Sequence, residues 1–320
     1  MTLAKKINFS GFGFELGQMQ RGLIASPEKA RDYFSILSNA GIVIEDQGCI
    51  TQYGPQTKMK FFSESDLKKI NWDHYIEAYH KTFTLLNNES ILLNWGGDHS
   101  IAIATVGAFV RNHLDGYVIW IDAHADLNLP SFSLTGNLHG MPMSILLNLN
   151  NVSSYNFKWL EQYLSPEKLI YIGLRDLDPF EEDIIQKLKI KNFTRRSIRK
   201  IGIENVINEI CQIVNDSPVH ISFDIDSVDP RVAPSTGVPV NDGLSLDELH
   251  LLAVRFSEFN LQSVDMVELN PSLGTQLQVD QTFITAMNFL KNLFTYPGGF
   301  YERMGKRIET DDTLKMEWSI

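Results

Sequence analysis

Short apolar runs alternate with longer amphipathic stretches almost throughout this chain, and that alternation constrains its fold more than anything else. The runs are Ile7–Gly13, Ile42–Glu45, Ile91–Trp95, Tyr117–Asp122, Leu169–Gly173, His220–Asp226 and Val264–Glu268. Continuous apolar runs of this length read as buried strands. Between them, Pro27–Ala40, Glu64–Leu86, Ile101–Asn112, Ile203–Ile213, Leu246–Phe256 and Phe283–Phe294 carry helical spacing. Ser26-Pro27 is a helix start, and Ser245 with Glu248 three residues later is a capping box. Strands separated by helices imply an α/β fold with a parallel sheet covered on both faces. No repeat, low-complexity segment or linker divides residues 1–320, so a single domain is expected. The polar stretch after Tyr296 has weak periodicity and is expected to form a surface tail over 296–320.

In open α/β sheets, ligands collect at the carboxyl ends of the strands. The chemically suggestive residues stand there repeatedly. Gly96-Gly-Asp-His-Ser100 follows one run, and Asp122-Ala-His-Ala-Asp126 follows another. Arg175-Asp-Leu-Asp178, Asp224–Asp229 and Glu268 follow three more. In an extended chain residues i, i+2 and i+4 point the same way, so Asp122, His124 and Asp126 are expected to face one point, as are Asp224 and Asp226. With His99 they form a set of imidazoles and carboxylates without thiolate, which suits Mn, Fe, Co or Zn. Four clustered carboxylates repel and raise one another's pKa, and two divalent ions would balance them. Such ions, about 3.5–4 Å apart, can share a water and bring its pKa toward ~7. Each motif alone has an ordinary reading as a turn or a helix cap; together, each after a buried-strand pattern, they point to metal. His74, His80, His113, His220 and His250 stand outside these clusters and read as surface or satisfied core residues.

Composition narrows the partners. The net charge of −11 comes with no basic block, which argues against a nucleic-acid or anionic-membrane surface. Cys49 and Cys211 are the only cysteines, so no disulfide framework is present and a reducing compartment is expected. No apolar run approaches the ~20 residues that span a bilayer, and the N-terminus lacks the pattern of a secretory signal. The expectation is a cytoplasmic protein.

Gly96-Gly-Asp-His-Ser100, Asp122-Ala-His-Ala-Asp126, and Ser222-Phe-Asp-Ile-Asp-Ser-Val-Asp-Pro230 with Pro234-Ser-Thr-Gly237 resemble the three signatures of the ureohydrolase family. The likeness runs from about Gly11 to Gly274. It implies a three-layer α/β/α fold with a central, mainly parallel sheet, and two Mn(II) ions, with Co(II) or Ni(II) as substitutes. It further implies that His99, Asp122, Asp126 and Asp224 hold one ion, and that His124, Asp122, Asp224 and Asp226 hold the other. Asn128, Thr135-Gly-Asn-Leu-His139, Gly173–Pro179 and Glu268–Gly274 look most like arginase within the family. That likeness implies hydrolysis of L-arginine to L-ornithine and urea by a metal-bridging hydroxide. Asn128, Thr135 and Asn137 would meet the α-carboxylate; Asp178 and Glu181 would meet the α-ammonium, partly through water. Asp126 would handle the nucleophile's proton, His139 would shuttle a proton, and Glu268 would pair with the guanidinium. It also implies a homo-oligomer, a trimer or hexamer.

Each substrate residue has an ordinary alternative: Asn128, Thr135 and Asn137 as turn residues, and Asp178-Pro179 with Glu181 as a helix start. Val238 stands where many arginases carry threonine, which removes a hydroxyl near the guanidinium pocket. The competing readings are a guanidinobutyrase or agmatinase, a catalytically inactive metabolite-binding homologue, and a zinc amidohydrolase of the related deacetylase fold.

Overall fold

The computed structural model describes residues 6–52, 60–86, 90–154 and 157–295. Eight strands form one all-parallel sheet: β1 (Lys6–Gly13), β2 (Val43–Thr51), β3 (Ile91–Trp95), β4 (Tyr117–Ile121), β5 (Leu169–Ile172), β6 (Lys191–Phe193), β7 (Pro218–Asp224) and β8 (Asn260–Val267). Their order across the sheet is β2-β1-β3-β8-β7-β4-β5-β6. The chain leaves β3 and re-enters at β4 three places away, and the two-strand gap is filled last, by β7 and β8. The carboxyl ends of β3, β8, β7 and β4 are therefore neighbours.

Alternation along the strands builds two cores. On β4, Ile119 and Ile121 face the helices Ile203–Val214, Leu246–Phe256 and Gln276–Thr295. Val118 and Trp120 face the other way, toward Asp73–Leu85, Ala102–Asn112 and Pro179–Leu188. The result is the expected three-layer α/β/α arrangement. Ser245 caps its helix with Glu248 as the capping box requires, and Pro27 occupies the first turn of Ser26–Arg31.

The structure differs from the sequence reading in several elements. The stretch 27–40 is two helices, Ser26–Arg31 and Phe34–Ser38, and 64–86 is likewise split into Glu64–Leu67 and Asp73–Leu85. β2 runs on to Thr51, longer than expected, because an edge strand exposed along most of its length carries no apolar alternation. β6 is a three-residue edge strand with one buried side chain, too short to leave a hydropathy signal. The tail over 296–320 lies outside the described residues. Among the described residues, no helix is long and apolar enough to cross a membrane.

Gly97 shows how tightly the loop after β3 is seated. A Cβ there would lie 1.7 Å from the carbonyl oxygen of Phe14, the atom that accepts a 2.8 Å hydrogen bond from Asp98 N. A Cβ at Gly140 would meet nothing within 4 Å. Gly97→Ala is therefore expected to cost about 3 kcal/mol or more by overpacking, and Gly140→Ala to stay within about 0.5 kcal/mol. Urea denaturation of the two variants checks the contrast.

Candidate metal centre

Three of the four central strand ends close with the same local device. Asp98 Oδ1 accepts from Ser100 N at 3.0 Å, Asp122 Oδ1 from His124 N at 2.7 Å, and Asp224 Oδ1 from Asp226 N at 2.8 Å. An aspartate that takes the amide two residues on turns the chain out of the strand. This corrects the expectation of an extended run over 122–126. β4 ends at Ile121, and Asp126 has a left-handed backbone with φ 49°. Asp122, His124 and Asp126 converge because the chain bends, not because it alternates.

The second carboxylate oxygens of Asp122 and Asp224 face inward, together with one of Asp126. Asp122 Oδ2, Asp126 Oδ2 and Asp224 Oδ2 each lie 3.1 Å from His99 Nδ1. That nitrogen is fully buried, yet it is aligned with none of them for a hydrogen bond. The His99 ring is held from behind. Its Nε2 is 2.8 Å from Ser222 Oγ, and its plane stacks on Trp120 with centroids 3.9 Å apart. Trp120 Nε1 in turn donates to Asp122 Oδ2 at 2.9 Å. Beside this group, His124 Nδ1 lies 3.1 Å from Asp226 Oδ2 and 3.5 Å from Asp122 Oδ1. The ligand atoms fall into two overlapping sets, His99–Asp122–Asp126 and Asp122–His124–Asp226, with Asp122 in both. An orphaned imidazole nitrogen ringed by carboxylate oxygens is what a hard or borderline divalent cation fits.

The electrostatics agree. Burial pushes Asp224 well above the ordinary carboxylate range, with the charges of Asp226 and Asp122 adding to it. Burial, then the charge of Asp122, raises Asp126. Asp226 is pushed up to about 6 by burial first, despite its contact with His124. Among these four only Asp122 goes down: burial pushes it up, but His124 and His99 outweigh that. This is the repulsion that cations would relieve.

His139 and Glu268 form a second layer. Burial disfavours the His139 imidazolium, but Glu268 outweighs it and raises the pKa to about 9. His139 Nδ1 is 3.0 Å from Glu268 Oε1, which also accepts from His99 N at 2.9 Å. Glu268 Oε2 accepts from Gln18 Nε2. Glu268 is only 3% exposed, has φ 65°, and is not among the residues lining the cavity over the metal ligands. The resemblance pairs it with the guanidinium; here its carboxylate meets His139, the His99 amide and Gln18.

That cavity, about 210 Å³, is lined by His124, Asp126, Asp224 and Asp226 at its floor. Asn128, Thr135, Asn137, His139, Asp178 and Glu181 form its walls, with Val238 and Asp176. The expected substrate residues are thus all brought together. Several also serve the fold. Asp178 and Glu181 make the capping box of Pro179–Leu188, and Glu181 accepts from Leu127 N at 2.9 Å and Asp178 N at 3.0 Å. Burial raises Glu181 to about 7 even so. Asn128 Nδ2 donates to Asp178 Oδ2 at 2.8 Å, while the buried Oδ1 atoms of Asn128 and Asn137 have no hydrogen-bond partner.

Three residues of the site escaped the sequence reading. Trp120 and Ser222 stand two positions before Asp122 and Asp224, so strand alternation could have found them. Gln18 reaches Glu268 across 250 positions and leaves no local signal. Asp176, within the expected strand-end set 175–178, approaches His124 Nε2 to 3.6 Å from an exposed loop. His220 is a core histidine: its Nδ1 lies 2.7 Å from Ser263 Oγ, while its buried Nε2, 3.3 Å from Asp265 Oδ2, has no hydrogen-bond partner among the described residues.

Known proteins can be set beside this geometry. The sequence profile of the Arginase family matches residues 5–295. Human arginase-1 is 33% identical over 302 residues, covering 89% of this chain and 91% of its own. The arginase of Glaciozyma antarctica is 43% identical over 194 residues, 58% of this chain; the match spans 56% of that relative's length. An Entamoeba histolytica arginase solved in complex with L-ornithine superposes with a TM-score of 0.79 at 27% identity, covering 91% of this chain and 98% of the other. Strand order, ligand geometry and the near full-length match lead to one assignment: the chain belongs to the arginase family.

Proposed function

We propose that this protein hydrolyses L-arginine to L-ornithine and urea at a pair of Mn(II) ions. The observation that carries the reading is His99 Nδ1, buried and ringed at 3.1 Å by three carboxylate oxygens, beside the second nitrogen–carboxylate group of His124, Asp122 and Asp226. His99, Asp122, Asp126 and Asp224 would hold one ion; Asp122, His124, Asp224 and Asp226 would hold the other. Bound there, the cations supply a water acidified toward neutrality as the nucleophile.

The chain's own residues do the rest. The guanidino carbon sits over the floor of the cavity, and Asp126 takes the proton that the attacking water gives up. The bond from that carbon to the side-chain nitrogen breaks, and the proton passes to the departing amine. His139, held as the proton-bearing form by Glu268, exchanges protons between the cavity and bulk water. Glu268 acts on the guanidinium at one remove, by holding His139 and the His99 loop. At the outer wall, the amides of Asn128 and Asn137 and the Thr135 hydroxyl suit an α-carboxylate, while Asp178 suits an α-ammonium. An arginase solved with L-ornithine supports an amino acid as the ligand. Glu181, spent on two backbone amides, is assigned to the wall rather than to direct contact. Val238 leaves an apolar surface where a hydroxyl would strengthen substrate binding by about 0.5–1.5 kcal/mol.

The direct test is urea release from L-arginine, agmatine and 4-guanidinobutyrate after loading with Mn, Co or Ni. Release from L-arginine at least about 100-fold faster than from the other two is expected, since lost hydrogen bonds to the buried polar wall discriminate strongly. No urea from L-arginine with any metal, despite full loading, would overturn the reading.

The His139–Glu268 pair also has a pH signature. His139 is raised above its ordinary 6.5 to about 9, so its contribution is complete below 6.5 and lost as pH rises through about 9. Glu268 is lowered from 4.5, burial notwithstanding, by His139, so its contribution is complete above 4.5 and lost on acidification below it. In metal-free protein, the melting temperature of wild type over His139→Asn should be highest between these limits and should shrink through pH 9. A pH-independent difference would contradict the pairing.

A further inference from the structure

Arg175 stands just beyond β5, and its side chain runs behind the turn that carries Asp226. A guanidinium has five N–H donors, and here all five go to backbone carbonyls. Nε donates to Asn241 O at 3.1 Å; Nη1 donates to Gly173 O at 3.3 Å and Ser227 O at 3.2 Å; Nη2 donates to Asp226 O at 2.6 Å and Val240 O at 2.8 Å. A partly buried arginine ordinarily meets a carboxylate or phosphate. This one instead uses its planar fork to grip three separate segments of main chain.

Its backbone completes the tie. Arg175 N donates to Ala123 O at 2.9 Å, and Asp176 N donates to the same oxygen at 3.1 Å. Ala123 lies between Asp122 and His124, and its own N–H donates to Asp226 Oδ1 at 3.3 Å. One residue therefore joins the Asp122–His124 turn to the Asp226 turn, and both to the segment that follows Val238.

We infer that Arg175 is a positioning residue for the cation held by His124 and Asp226, fixing those two ligands relative to each other. This inference rests on the two-cation reading above. The His99 ring is oriented without the Arg175 side chain: Ser222 and Trp120 hold it, and Trp120 also fixes Asp122. Loss of Arg175 should thus weaken one cation and spare the other. Lysine keeps the charge but carries its donors on a single nitrogen, which cannot span three segments. Methionine keeps much of the stem and drops the charge. The two substitutions separate geometry from electrostatics.

The test is titration of Mn(II) into metal-stripped protein, followed by calorimetry and by the EPR signal of free Mn(II). It compares wild type with Arg175→Lys, Arg175→Met and Arg195→Met. Arg195 is the control because it grips the same region through Asp242 O but does not touch the Asp226 turn. Wild type and Arg195→Met should take up two ions alike. Both Arg175 variants should hold the first ion at wild-type affinity and the second about 10–100-fold more weakly, as for other residues that orient metal ligands. The inference is overturned if the second ion binds both Arg175 variants as it binds wild type. It is equally overturned if lysine restores full affinity, if both ions weaken together, or if Arg195→Met has the same effect. Wild-type uptake of fewer than two ions would instead overturn the two-cation reading, before any variant is compared.

Discussion

Four carboxylates, Asp122, Asp126, Asp224 and Asp226, are buried at the ends of two adjacent strands, β4 and β7, and the crowding of like charge there is the condition the rest of the structure answers to. In a protein interior, carboxylates at this spacing either take up protons or find cations. The raised pKa of Asp224, Asp126 and Asp226 shows the first response. The two imidazole nitrogens directed among them prepare the second. The sheet order makes the crowding possible: because β7 and β8 fill the gap between β3 and β4, residues more than a hundred positions apart end on one rim.

The surroundings are built to hold that rim rather than to relieve it. Asp126 and Glu268 both adopt left-handed backbone conformations, which cost of order 1–3 kcal/mol each for residues other than glycine. They persist because neighbours fix them: Met143 N donates to Asp126 O, and Glu268 N to Gly97 O, each at 2.9 Å. Trp120 and Ser222 orient His99, Gln18 and His139 orient Glu268, and Arg175 binds the two aspartate-bearing turns together. Supporting residues of this kind matter for a metal centre nearly as much as the ligands themselves.

Much of this was legible in the chain because strands buried on both faces read as continuous apolar runs, and because ligand residues follow them directly. The layer architecture and the joint placement of His99, Asp122, His124, Asp126, Asp224 and Asp226 could be read that way. The manner of convergence could not. Asp122–Asp126 fits strand alternation on paper, but an aspartate at a strand end can also capture the amide two residues on, and that turn prevails here. The placement of Gln18 and the carbonyl grip of Arg175 depend on contacts between distant segments. Asp178 and Glu181 illustrate a different limit: the same pair caps a helix and lines the cavity, so neither reading excluded the other.

On our proposal this rim holds two cations and not one. An anomalous-difference map from crystals of the Mn(II)-loaded protein tests it most directly. Two peaks about 3.5–4 Å apart are expected, one beside His99 and Asp126, the other beside His124 and Asp226, with Asp122 touching both. A single peak at full loading, or peaks away from these side chains, would contradict it.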